Sequence, residues 1–185
     1  MGGKEPTTGE SMVGGGARPL EWDKARVRLE SPEKGRTNWL ATTRPDGRPH
    51  LMPLLGVWLD GAFYFITGER TRKGQNLAQD PRCTIATSST TLPSLDVIVE
   101  GEAEQVTDET ELRRVIEAFS SKMEWPLDVR EGRVFGPNAP TAGPPPYALY
   151  GVRPATVFGL PGIAGMDGTG TPKESMNPTR WRFGA

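Results

Sequence analysis

Residues 37–67 read TNWLATTRPDGRPHLMPLLGVWLDGAFYFIT, and the fold follows from this stretch. Apolar and β-branched runs alternate with turn residues. NWLATTR is followed by Pro45, Asp46 and Gly47, then PHLMPLLGVWL, then Asp60 and Gly61, then AFYFIT. An Asp-Gly pair between two such runs signals a hairpin, because a type I' turn needs positive φ at both central positions. The stretch therefore predicts an antiparallel meander of three strands.

Working outward, a short helix is expected from about Leu20 to Leu29, with SPEKGR as the turn that follows. TRKGQNLAQ breaks the strand period and reads as a second short helix, while RCTIAT after Pro81 returns to strand. In VIVEGEAEQV, Glu100, Glu102 and Glu104 fall on one face and Val97, Val99, Gly101 and Ala103 on the other, the period of a strand with one wet side. Asp108 followed by Glu111 starts a third helix like a capping box, with Leu112, Val115, Ile116, Phe119 and Met123 along one stripe. The loop GPNAPTAGPPPY precedes an extended YALYGVRPATVFG, and a loose segment from Leu160 to Pro178 leads to TRWRF. The expected class is mainly β with accessory helices, an α+β chain whose six or seven antiparallel strands close into a small barrel and so lose their exposed edges.

The 185 residues allow one domain, expected over 19–185. Residues 1–18 are glycine-rich and offer little apolar surface to offset ordering entropy, so a disordered tail is expected there. With 22 basic and 23 acidic residues the net charge is -1, which removes the broad positive footprint of a nucleic-acid binder. One cysteine, Cys83, and one histidine, His50, cannot build a zinc cluster or a disulfide framework within a chain. No metal is expected. A Ser-His-Asp triad would have to use His50, which has no evident acidic partner. The longest apolar run, Leu51 to Leu59, is broken by Pro53 and Gly56 and falls far short of the roughly 20 residues that span a bilayer. No secretion signal is visible, so a cytoplasmic protein without a membrane partner is expected.

Chemistry concentrates in Thr67 to Asn76, TGERTRKGQN, at the junction of strand and helix. Arg70, Arg72 and Lys73 gather where a helix begins. Cations there oppose the helix dipole by roughly 0.3 to 1 kcal/mol each, so local structure gives no reason to collect three. An anion would resolve the conflict. First-turn amides, a hydroxyl at Thr67 or Thr71 and the Arg and Lys side chains together suit a phosphate, and Gly68 allows close backbone approach. The bland alternative is a solvated basic turn.

The succession WLATTRPDGRPHLMP, DGAFYFIT, RTRKGQNLAQDPRC and VIVEGEAEQVTD resembles the pyridoxamine 5'-phosphate oxidase-like superfamily of flavin and deazaflavin proteins. PTAGPPPY and TRWRF are similar to its actinobacterial branch, which uses either FMN or the deazaflavin coenzyme F-420. The resemblance implies an antiparallel split barrel, a homodimer and two cofactor sites at the subunit interface. By the same resemblance, His50, Met52, Pro53 and Leu54 lie along the cofactor ring, and Thr67, Thr71, Arg72 and Lys73 hold its phosphate, with Gly68, Arg70 and Asn76 beside them. The choice between FMN and F-420 stays open. A longer anionic tail would want further cations, for which Lys34, Arg36 and Arg44 are candidates. Pyridoxamine phosphate oxidase proper has an Arg-x-His pair near its end, whereas this chain ends in TRWRF, so vitamin B6 oxidation itself is disfavoured.

The resemblance implies hydride transfer between the cofactor ring and a small organic substrate. With the hard chemistry carried by a cofactor, few catalytic side chains are required. No catalytic residue is assigned; Tyr147 and Tyr150 are possible proton donors. Cys83, Trp58, Phe63 and Phe65 read as core or interface, and the proline-rich loop as a semi-rigid lid. A carrier that sequesters flavin, deazaflavin or haem is the alternative of a different class, and a regulatory dimer with an empty site is a weaker one.

Overall fold

In the computed structural model the described residues are 5–31, 37–87, 94–162, 168–171 and 177–184. Asn38–Thr43 forms β2 and Pro49–Leu54 forms β3, paired so that Thr43 faces Pro49 across a turn in which Gly47 has φ 80°. Gly56–Leu59 (β4) and Ala62–Thr67 (β5) pair with Leu59 opposite Ala62, leaving Asp60 (φ 50°) and Gly61 (φ 82°) as a two-residue turn. This is the hairpin that the Asp-Gly pair predicts.

The run PHLMPLLGVWL is not one strand, however. It is broken at Leu55, β3 pairing with β2 and β4 with β5. Proline at 53 withdraws a donor from the ladder. Gly56 meets an even firmer constraint, because a β-carbon there would lie 2.3 Å from the Phe63 ring. The chain can therefore bend where these two residues meet.

Three further strands build the body of the sheet: β6 (Arg82–Thr87), β7 (Leu95–Gln105) and β10 (Ala148–Pro161). The order runs β3-β2-β6-β7-β10, and β10 pairs through its first residues with β5, which carries β4. Since β3 leads directly into β4 through Leu55, the chain itself joins the two ends of this curled sheet. The sheet is antiparallel throughout, as expected of a split barrel. In β7 the expected alternation holds, with Val97, Val99 and Ala103 buried and Glu100, Glu102 and Glu104 exposed. A bulge between Pro154 and Thr156 shifts the register of β10 against β7.

β5 is buried at every residue. Phe63 and Phe65 enter a core shared with Trp58, Ile85, Val97 and Val99. Tyr64 and Ile66 enter a second core beneath α3 (Glu109–Met123), whose Leu112, Val115, Ile116 and Phe119 are buried and whose cap Asp108 accepts from the Glu111 N–H at 2.8 Å. α1 (Trp22–Glu30) seals one end of the first core, where Trp22 meets Trp58, Trp181 and Phe183 edge to face.

Two expectations are corrected. The segment 1–18 is not wholly disordered, since Thr8–Ser11 forms β1, paired with β11 (Thr179–Arg182). Backbone pairing holds it, supplemented by an Arg180–Glu10 ion pair at 2.6 Å and by Trp181, which packs so tightly on Gly9 that a β-carbon there would come within 2.9 Å. The strand count is also eleven among the described residues rather than six or seven. The excess comes from β1, from the break at Leu55 and from a separate hairpin, β8 (Asp128–Arg130) with β9 (Arg133–Phe135), turning at Glu131 and Gly132.

Across β3, β2, β6, β7 and β10 the register aligns Pro53, Trp39, Ala86, Ile98 and Phe158 in one row on the outer face. All five keep some exposure, Trp39 being 39% exposed. Nearby Leu51 is 56% exposed. No helix among the described residues is long and apolar enough to cross a membrane.

Candidate functional site

β5 ends in Thr67, fully buried, and the chain turns through Gly68, Glu69 and Arg70 into α2 (Arg72–Gln79). Thr71 caps this helix, its Oγ1 accepting from the Gly74 N–H at 3.2 Å. The same hydroxyl gives its single proton to the Gly68 carbonyl at 2.7 Å, so at the 3.0 Å contact between Thr67 Oγ1 and Thr71 Oγ1 the donor is Thr67. Both threonine protons thus point into the turn, and Thr71 Oγ1 accepts there from both Gly74 and Thr67. Gly74 lets the first helical turn press on the loop, because a β-carbon there would lie 2.6 Å from the Gly68 carbonyl oxygen.

The basic side chains separate into two kinds. Arg70 and Arg72 are exposed and form no ion pair with any described residue. No acidic residue stands in the first turn of α2. Glu69, the nearest acid in the chain, is engaged by Arg133 at 2.7 and 2.9 Å, which holds its carboxyl below the usual range and removes it as a competitor for the arginines. Lys73, in contrast, is only 2% exposed, and its ammonium donates to the main-chain carbonyl of Thr141. Burial lowers its pKa from the ordinary 10.5 to about 8.

Asn76 is wholly buried, donating from Nδ2 to Thr42 Oγ1 at 2.9 Å, while its Oδ1 has no partner. Thr42 faces His50 across the β2–β3 pair. His50 Nδ1 is buried and unpartnered, and its pKa is pushed down first by burial and then by the charges of Arg44, Lys73 and Arg72. A third buried orphan, Asn38 Oδ1, lies on the same face of β2, opposite Leu54. Buried polar atoms rarely lack partners, so the orphaned His50 Nδ1 and Asn76 Oδ1, both beside Thr42, set this end of β2 apart.

The structure brings His50, Arg72 and Lys73 into one electrostatic neighbourhood, with Thr67, Gly68 and Thr71 as the turn beside it and Asn76 tied to it through Thr42. Arg70 does not figure among the charges acting on His50. The residues expected along a ring divide. His50, Met52 and Leu54 pair with Thr42, Leu40 and Asn38 on the inner face, whereas Pro53 pairs with Trp39 on the outer one. Of the additional cations, Arg44 acts on His50, while Lys34 and Arg36 lie outside the described residues.

The proline-rich loop that the sequence suggests as a semi-rigid lid, residues 137–147, is tied to the basic turn by main-chain bonds that sequence reasoning did not find. Gly68 N–H donates to the Ala142 carbonyl at 2.9 Å, next to the Lys73–Thr141 bond, so two successive carbonyls fix this loop to the basic turn. Tyr147, fully buried, lies within 3.1 Å of the Pro137 carbonyl and 3.0 Å of the Gly143 carbonyl and accepts from the Ala139 N–H at 3.3 Å. Its hydroxyl holds the loop's shape. Tyr150 stacks on Phe65 at 5.5 Å within the core, and burial raises its pKa. The Tyr147 hydroxyl is thus committed to the loop, whereas Tyr150 is held through its ring. Cys83 is buried and its thiol is pushed up to about 12, as expected of an inert core residue. Among the described residues no three His, Cys, Asp or Glu side chains come together to hold a metal.

The sequence profile described as Pyridoxamine 5'-phosphate oxidase matches residues 25–160 of this chain, from α1 to near the end of β10. The chain belongs to the pyridoxamine 5'-phosphate oxidase family. A curated relative, the pyridoxine/pyridoxamine 5'-phosphate oxidase of Pseudomonas entomophila (strain L48), is 38% identical over 90 residues, covering 46% of this chain and 40% of that one. The match thus spans well under half of the relative's length. Among solved structures, one titled F420 Reductase has a TM-score of 0.52 at 24% identity, covering 70% of this chain and 91% of that one. A FAD-binding protein from Mesorhizobium loti has a TM-score of 0.54 at 16% identity, covering 94% and 96%. At these identities the structural likeness establishes the split-barrel fold. The family's sequence profile covers every element that builds the basic turn and its surroundings.

Proposed function

We propose that this chain is a flavin- or deazaflavin-dependent oxidoreductase that acts on a small organic substrate, with the phosphate of FMN or of coenzyme F-420 held at the turn between β5 and α2. One observation carries the reading. Arg72 and Arg44, unpaired with any described acid, and the buried Lys73, whose pKa burial lowers, surround a histidine whose Nδ1 is buried without a partner, at a helix start that has no acid of its own. A dianion placed there removes the dipole conflict of the cations and restores the Lys73 and His50 charges.

Arg72 supplies the direct charge-assisted contact, and first-turn amides add donors. Lys73 has a second duty in positioning the 137–147 loop through Thr141. A redox-active ring supplies the hydride chemistry when bound. The chain's contribution is to anchor, orient and exclude water, because no acid–base pair is assembled near the turn among the described residues.

The family resemblance also leads us to propose a homodimer. The outer row of Pro53, Trp39, Ala86, Ile98 and Phe158, with Leu51 beside it, is the apolar surface such a partner would cover. A second reading, a carrier without turnover, is favoured by the engagement of the Tyr147 hydroxyl in holding the loop. Titration of the purified protein with FMN and with F-420, followed by reoxidation of the reduced complex with and without candidate substrates, separates the two. An enzyme accelerates reoxidation when substrate is added; a carrier does not.

A further inference from the structure

Behind the bend at Leu55 lies a cavity of about 210 Å³. Its walls come from residues 53–55 at the bend, Ile66 near the end of β5, Trp125 beyond α3, and the loop segment 139–142. Among the described residues the polar side chains in these walls are those of Thr37 and Thr141 and the Trp125 indole, and none is charged. These walls offer a charged occupant no counter-charge in exchange for the hydration lost on its covered side, so they favour an uncharged one. An apolar cavity of about 150 Å³ accepts benzene, so this volume suits a single substituted ring.

The walls are also fixed in shape. The Trp125 ring is wedged between Phe119 and Tyr147, with centroids 6.1 Å away on both sides. The loop wall is fastened by the Lys73–Thr141 and Gly68–Ala142 bonds, which join the cavity directly to the basic turn. A phosphate-anchored ligand and an occupant of this cavity would therefore share a common frame.

We propose that this cavity binds an uncharged, planar, one-ring molecule with at most one small polar substituent, and that in the loaded protein this molecule is the redox substrate. The second half rests on the flavin or deazaflavin reading above; the first does not.

The probe is 4-fluorotoluene, followed by fluorine NMR with the full chain and no cofactor. Its signal is expected to broaden saturably with wild-type protein, and that of 4-fluorobenzoate, of similar size but charged, to remain sharp. Ala139→Leu fills the cavity and is expected to abolish the broadening. Leu55→Trp obstructs the cavity from a residue that is 46% exposed, where the change leaves the core untouched, and is expected to do the same. Thermal unfolding of both variants confirms that they fold. Equal broadening by the two probes, or undiminished broadening in folded Leu55→Trp, overturns the binding site. The measurement is then repeated with saturating FMN or F-420, whichever the protein takes up. Retained 4-fluorotoluene binding supports the substrate assignment. Displacement of the probe shows that the cavity is the ring's own seat and overturns that assignment, as does failure to take up either cofactor.

Discussion

Lys73 donates from Nζ to the carbonyl of Thr141, so a single buried side chain ties the helix that carries the basic turn to the loop that walls the adjacent cavity. A lysine in this position is poorly matched to its surroundings while no anion is present. Its depressed pKa records the mismatch, and burial is the cause.

The sign of the resulting pH dependence is fixed. Between about 8, where folded Lys73 titrates, and the ordinary 10.5, the unfolded chain binds the extra proton, so stability from this group rises with pH across that window and its penalty is fully present below about 8. In Lys73→Met this increment is expected to vanish. Urea unfolding midpoints at pH 7.5 and pH 10, compared between wild type and variant, measure it. A wild-type response identical to that of the variant would count against a buried ammonium.

His50 reports on the site without ambiguity because the chain has one histidine. Its imidazole titrates below the ordinary 6.5 through burial and the charges of Arg44, Lys73 and Arg72. A bound phosphate offsets those charges, so the His50 pKa is expected to rise on binding and the anion to bind more tightly as pH falls. Proton NMR titration of the imidazole with and without ligand tests this. A pKa that does not move on binding would place the anion elsewhere.

Thr42→Val removes the acceptor of the buried Asn76 Nδ2 and leaves both ends of that amide unpaired. The expected loss of stability is about 1–3 kcal/mol. Because this bond ties β2 to α2, ligand affinity should fall as well, and Asn76→Leu in the Thr42→Val background should recover stability but not affinity. Denaturant unfolding and ligand titration of the single and double variants give the two quantities separately.

Ile98→Arg places a charge in the middle of the outer apolar row while leaving the inward Val97 and Val99 in place. Sedimentation equilibrium is expected to show a dimer for wild type and a monomer for the variant. Two species of equal mass would remove this face as the dimer contact.

Much of the barrel is written locally in the chain. Asp60-Gly61 demands the positive φ values that it adopts, Asp108 caps α3 as its spacing with Glu111 suggests, and the glutamates of β7 alternate outward as their period requires. Thr71 likewise caps α2 from the position that makes the basic turn conspicuous. What could not be read depends on partners distant in sequence. The bend at Leu55 is understood only once Phe63 is seen lying on Gly56, and β1 only once Trp181 is seen on Gly9. The division among the basic residues was hidden for the same reason, because nothing in RTRK distinguishes an exposed Arg72 from a Lys73 buried against a loop 68 residues away.

The central claim is that Arg72 and its neighbours exist to hold a phosphate, and titration of the apoprotein with FMN and with F-420 at two salt concentrations tests it most directly. The account predicts saturable binding of at least one of them, weakened by about 1.5 to 3 kcal/mol in Arg72→Ala, much less affected in Arg70→Ala, and reduced by salt. Binding of neither compound, or equal affinity in wild type and Arg72→Ala, would contradict it.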